Sequence, residues 1–143
     1  MQIPVTIVNV FVWPVRVYYE DTDAGGIVYY ANYLKFMERA RTEWLRALGF
    51  EQDRLREREG VIFAVRSVCL DFIKPARFND LLDVTVQPVR KRPASLVLDQ
   101  EVRAGRGPSR SLCRGRVRIA CLDARTLNPR ALPRSLLLEI PGE

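Results

Sequence analysis

Histidine is absent from all 143 residues of this chain. That removes Ser-His-Asp and Cys-His triads and every His-bearing zinc site. Cysteine is scarce. Cys69, Cys113 and Cys121 are an odd number with no C-x-x-C spacing, which argues against a disulfide framework and a thiolate zinc site alike. The expectation is three small buried hydrophobes in a reducing compartment, with no inter-chain disulfide and no metal site. Long apolar runs are missing too, since none reaches the roughly 20 residues of a membrane span. The first residues, "MQIPVTIVNVFVW", lack a basic segment and a small-residue cleavage site, and Pro14 and Arg16 follow at once. They make a poor signal peptide, so a cytoplasmic protein without membrane insertion is expected. Any hydrolytic chemistry would have to rest on a carboxylate.

What is present is an ordinary globular composition, 48% hydrophobic and 28% charged, on a chain sized for one domain. Lys and Arg number 23 against 17 Asp and Glu, a net charge of +6. A basic surface favours anionic partners without choosing among phosphate-bearing small molecules, nucleic acid and acidic membranes. Nucleic acid has nothing but this charge in its favour and is not expected.

"PVRVYYE" (14–20) alternates and is rich in β-branched and aromatic residues, so it predicts a strand. From about Ala31 to Leu48 the period changes. Tyr33, Phe36, Met37, Ala40, Trp44, Ala47 and Leu48 form one apolar stripe at helical spacing, and Gly49 ends it. "EQDRLREREG" is a short exposed helical turn or a loop. Strands are predicted over 61–73, 81–90, 95–104 and 109–123, joined by short polar runs that suit antiparallel neighbours. The tail (124–143), with "NPRALPRSLLLEI", is expected to pack over an edge. The order strand, helix, four strands predicts an α+β fold with a helix on one face of a five-stranded antiparallel sheet. One domain spans 1–143, with no internal repeat or break.

Between the first strand and the helix lies "EDTDAGG" (20–26). Gly25 and Gly26 allow backbone shapes denied to other residues and a ligand's close approach. N–H groups at a helix start are unpaired and partially positive, so they can polarise a carbonyl oxygen. A carboxylate beside them could hydrolyse an ester or thioester, as general base on water or as nucleophile. Capping of the helix by these acids is the plainer reading. Arg114, Arg116 and Arg118 alternate along one strand and read as a solvent-facing row. Trp13, Trp44 and the tyrosines read as core or interface packing.

The run "RVYYEDTDAGGIVYYANYLKFMERARTEWL" resembles the signature of the hotdog-fold thioesterases of the 4-hydroxybenzoyl-CoA thioesterase family. It is most similar to the bacterial acyl-CoA thioesterases linked to the Tol-Pal system. The likeness continues through "FAVRSVCLDFIKPARFNDLL" and "NPRALPRSLL", leaving 1–12 unmatched. It implies a five-stranded antiparallel sheet wrapped around one long helix. It also implies a homo-oligomer, dimer or tetramer, with sites at the subunit interface, and hydrolysis of an acyl-CoA without cofactor. The resemblance places the catalytic carboxylate at Asp23, the carbonyl-polarising backbone N–H at Tyr30, and a loop-supporting acid at Asp21. Gly26, in the glycine pair that lets a ligand approach, is the substrate-contact candidate. The family uses the region of Arg90, Lys91 and Arg92 for the coenzyme A nucleotide, a solvated basic loop being the plainer reading of the trio. Many members of this branch have histidine where this chain has Tyr30. Tyrosine, with a reference pKa of about 10, is no base near pH 7, which leaves Asp23 acting beside the N–H dipole. A non-catalytic hotdog acyl-CoA-binding or scaffolding protein is the rival reading.

Overall fold

The computed structural model describes residues 10–105 and 110–141. The expectations for residues 1–9, for position 109 and for most of the "GRGP" connection lie outside these. In chain order the elements are β1 (Phe11–Arg16), a 3-10 turn (Tyr19–Asp21), α1 (Asn32–Ala47) and α2 (Gln52–Glu59). Then follow β2 (Val61–Phe72), β3 (Leu81–Arg92), β4 (Ser95–Ala104), β5 (Ser111–Asp123) and α3 (Arg134–Glu139). The strands make one antiparallel sheet in the order β1-β3-β4-β5-β2, so β1 and β2 are its edges.

The apolar stripe of α1 is what the sheet covers. Tyr33, Phe36, Met37, Ala40 and Trp44 are buried, and Phe36 and Met37 are fully so. They meet Leu82, Val84 and Val86 of β3, Leu98 and Val102 of β4, and Val117 of β5. These alternate with outward residues, as a pleated strand with one buried face requires. Each fully buried large side chain here contributes about 1.5–3 kcal/mol. Ala47, assigned to the stripe by spacing, is exposed although Trp44 and Leu45 in the same turn are buried.

Several boundaries differ from expectation. The first strand ends at Arg16, not Glu20, because the Asp21 carboxylate accepts the Tyr18 N–H at 2.8 Å and pulls the chain into the 3-10 turn. Pro14 is tolerated inside β1 because that strand is an edge. The segment left open after Phe50 is a helix. "RKR" is not a connection: β3 runs through Arg92 and pairs with β4 up to the tight turn at 93–94. The tail crosses the end of the β3–β4 hairpin instead of an edge, burying Leu132, Leu136 and Ile140. There the Lys91 Nζ donates to the carbonyls of Leu137 (2.9 Å) and Ile140 (2.7 Å). Cys113 and Cys121 are buried as expected, but Cys69 is exposed, because it sits on the outward face of edge strand β2. No helix among the described residues is long and apolar enough to cross a membrane.

Candidate active site

The segment between β1 and α1 is held by the backbone almost throughout. Thr22 and Val28 form an isolated antiparallel bridge, and Asp23 N–H donates to Ile27 O (2.9 Å). Gly26 N–H returns to Asp23 O (3.0 Å), closing a tight turn whose residue Gly26 has φ of 80°. That left-handed conformation is why glycine stands there. Beneath the turn, Asp21 is buried; its carbonyl accepts both the Tyr29 N–H (2.9 Å) and the Asn32 Nδ2 (2.8 Å). Asn32, buried at the first position of α1, ties helix to loop. Sequence reasoning passed over it, although an Asn at a helix start is a signal for such a bond. Tyr33 does similar work: its buried hydroxyl accepts the Ala76 N–H (3.0 Å), while Ala76 O accepts from Val28 (2.9 Å). Burial pushes the Tyr33 phenol up, so it stays protonated.

Neither acid caps α1. Its N-cap is Ala31, which has no side-chain capping bond. Asp21 caps the 3-10 turn, and Asp23 is exposed, with Oδ1 accepting the Gly25 N–H at 2.8 Å. Among the described residues nothing donates to the second Asp23 oxygen, Oδ2. Likewise the Tyr30 and Ala31 N–H groups, just ahead of α1, donate to no acceptor among the described residues. An open carboxylate oxygen and two open donors at a helix N-terminus therefore share one short loop.

The Tyr30 ring is exposed. It lies 4.9 Å from the Tyr29 ring and 6.1 Å, edge-on, from Phe72 at the end of β2. The neighbouring Tyr30 hydroxyl pushes the Tyr29 phenol up, so Tyr29 is no base either. Of the six residues assigned to the site, Asp23, Gly26 and Tyr30 are together on this loop.

The basic trio is elsewhere and is split. Arg90 and Arg92 line a cavity of about 260 Å³ with Arg116 and Arg118. Its Val97 alternates with the inward-facing Leu96 and Leu98, so the cavity is on the sheet face away from α1. Lys91 alternates to the other side and is engaged by α3. The row of Arg114, Arg116 and Arg118 is exposed as expected, but two of its members face Arg90 and Arg92, which the strand spacing alone did not show. Arg116 also grips Asp99 at 2.7 and 3.1 Å, an exposed pair of small net worth.

A larger cavity, about 430 Å³, opens between α1, α2 and the inward face of β2, β4 and β5. It meets α1 along Glu38, Arg41, Thr42, Trp44 and Leu45. These follow Asn32 by 6 to 13 residues, roughly 9–20 Å along the helix. The Asp23 loop of the same chain is therefore at the opposite end of α1 from this cavity.

The sequence profile of the thioesterase superfamily matches residues 25–110. The chain is 45% identical over 131 residues to the acyl-CoA thioester hydrolase YbgC of Escherichia coli O157:H7, covering 92% of this chain and 96% of that protein. This chain belongs to the thioesterase superfamily. It is an enzyme of that class with the hotdog fold, as the motif "DTDAGGIVYY" implied. A second thioesterase relative, the acyl-CoA thioesterase YbgC of Haemophilus influenzae, is 41% identical over 128 residues, 90% of this chain and 92% of that protein. Among solved structures, a probable thioesterase from Bartonella henselae superposes with a TM-score of 0.81 at 35% identity, covering 87% of this chain and 99% of that one. A 1,4-dihydroxy-2-naphthoyl-CoA thioesterase from Synechocystis shares the fold at TM-score 0.83 and 21% identity, over 92% and 95% of the two chains.

Proposed function

We propose that this thioesterase hydrolyses acyl-CoA thioesters, with the Asp23 carboxylate as base or nucleophile and the Tyr30 N–H as oxyanion donor. The observation that carries the reading is the loop itself. One Asp23 oxygen is fixed by Gly25 and the other is open, and the same loop carries N–H groups with no partner among the described residues. As base, Asp23 takes a proton from water while the water oxygen adds to the thioester carbon. The Tyr30 and Ala31 N–H groups hold the resulting oxyanion, and collapse breaks the C–S bond, the thiolate leaving to be protonated. As nucleophile, Asp23 adds to the thioester carbon and expels the coenzyme A thiolate, which is protonated. This leaves a mixed anhydride that water then cleaves to the free acid and the Asp23 carboxylate. Gly26, without a side chain at the turn, lets the thioester approach. Arg90 and Arg92, with Arg116 and Arg118 in the same cavity, offer forked donors to the phosphates of coenzyme A. Lys91 is left out of this role because its ammonium is already bound by α3.

The working unit in this reading is at least a dimer. On β2 the run 65–72 is exposed on its free side except for the half-buried Leu70. Val65, Val68 and Phe72 present 50%, 40% and 53% of their surface on the α1 side. An apolar edge of this length is a pairing surface. Antiparallel pairing of β2 with a second β2 about the middle of that run sets Phe72 of one copy against Val65 of the other. Phe72 packs on Tyr30, and Val65 lines the 430 Å³ cavity. The carboxylate of one subunit then serves the cavity of its partner, which the single chain keeps apart. The test is thiol release over a panel of acyl-CoAs, with Asp23→Asn beside the native chain. Turnover that Asp23→Asn abolishes supports the reading; coenzyme A bound without turnover on any thioester supports the rival binding protein.

A further inference from the structure

The 430 Å³ cavity has apolar walls from Trp44, Leu45, Phe63, Leu96, Leu98 and Ile119, and one cation that they do not explain. Arg41 lines it, half-buried, and among the described residues no carboxylate is within ion-pair distance of its guanidinium. Its one hydrogen bond among the described residues runs from Nη1 to Gln100 Oε1 at 2.9 Å. Gln100 is buried to 2% exposure, and its amide is fixed the other way round, Nε2 donating to Met37 O (3.1 Å) and Thr85 O (3.3 Å). The molecule thus buries a glutamine to hold the arginine by one nitrogen, leaving the rest of the five-donor fork unused. Glu38 also borders the cavity, but it is exposed, and its Oε2 accepts from Thr42 (2.9 Å). Burial pulls the Arg41 pKa down and nearby Glu38 partly offsets this, yet an arginine stays charged. A cation in an apolar pocket with only a neutral acceptor is costly, and a ligand anion removes that cost.

Resting on the thioesterase reading and the shared cavity, we propose that Arg41 binds a carboxylate at the far end of the acyl group. The preferred substrates are then coenzyme A monothioesters of dicarboxylic acids. The methylenes between the two carboxyls lie along the apolar walls. The fork takes both oxygens of the free carboxylate, and Gln100 keeps the guanidinium from swinging out to solvent. An acyl group ending in a methyl leaves the same cation unpaired, so the pocket selects against it.

The experiment compares matched pairs, glutaryl-CoA with pentanoyl-CoA and adipoyl-CoA with hexanoyl-CoA, on the native chain, Arg41→Met and Arg41→Lys. A charge-assisted bond contributes about 1.5–3 kcal/mol, so the native enzyme should favour the carboxylate member by roughly 10- to 100-fold in kcat/KM. Arg41→Met should erase or invert that ratio, and Arg41→Lys, a point charge without a fork, should keep part of it. A native ratio near one, or a loss in Arg41→Met that strikes both series equally, overturns the proposal and leaves Arg41 as packing. If no thioester turns over, the thioesterase reading falls instead. Calorimetric Kd values for the same pairs on the Asp23→Asn protein, with and without Arg41→Met, then still decide the selectivity. Equal affinity for both members overturns it, and a preference lost with Arg41 sustains it.

Discussion

Asp23 holds the Gly25 N–H with one oxygen and presents the other to whatever enters the loop. Asp23→Asn keeps an acceptor for that bond and removes the charge. The expected result is a kcat lower by about 10²–10⁴, the usual worth of a general base, with the melting temperature unchanged within a few degrees. Near-normal turnover would end the assignment. Asp21→Ala should behave differently, because the buried carboxylate it removes organises the Tyr18 turn. A lost cap costs about 1 kcal/mol, so melting should drop by several degrees while kcat falls less than for Asp23→Asn. Asp21→Asn, which keeps the acceptor, should lose less of both. The three thiols differ in kind. Burial pushes Cys113 up to about 11 and moves Cys121 in the same direction. A group raised this way stays a neutral thiol until pH nears its pKa, so at pH 8 about one part in 10³ of Cys113 is thiolate. Ellman's reagent at pH 8 should therefore titrate one fast thiol, Cys69, in the native protein and three after denaturation. Three fast thiols in the native protein would contradict the burial.

At the scale of elements, β2 is the exposed edge with the most at stake. Val68→Lys places a charge in the middle of its apolar row, the standard way to block edge pairing. The variant should sediment as a monomer and lose turnover, although Asp23, Tyr30 and the 430 Å³ cavity are untouched. A monomer with full activity would show that one chain carries the whole site. The elements also show what a sequence gives away. Helix α1 was legible because a stripe of Phe36, Met37, Ala40 and Trp44 at helical spacing has one physical solution. β4 was legible to the residue because short polar turns bound it. β1 was displaced because the Tyr18–Asp21 turn is set by a side-chain bond that periodicity does not encode. Asp23 and Tyr30 were assigned by a motif, not by physics, since the residues alone read more plainly as helix capping. The parting of Lys91 from Arg90 and Arg92 was invisible because it depends on where the tail lands. Arg41 and Gln100 were missed because they sit far apart in the chain and meet only through the packing of α1 on β4.

At the scale of the molecule, the two-fold pairing makes a geometric claim. Because Arg66 is bulged out between Val65 and Ser67, matching 65 with 72 across the axis sets Cys69 directly opposite the partner's Cys69, on the face away from α1. Strands about 5 Å apart put the two Cα atoms roughly 5 Å apart, within disulfide reach. Mild oxidation should therefore give a covalent dimer that Cys69→Ser abolishes; persistent monomer bands would refute the register. Strand order has a consequence of another kind, for the time course of folding. Only β3–β4 and β4–β5 join sequence neighbours, whereas β1 waits for β3 and β2 waits for β5. On the ribosome, the first half of the chain emerges with its helix and both future edge strands but none of their sheet partners. Such non-local closure is slow, in the range of milliseconds to seconds. Until then the aromatic stripe of α1 is a surface for chaperones to find.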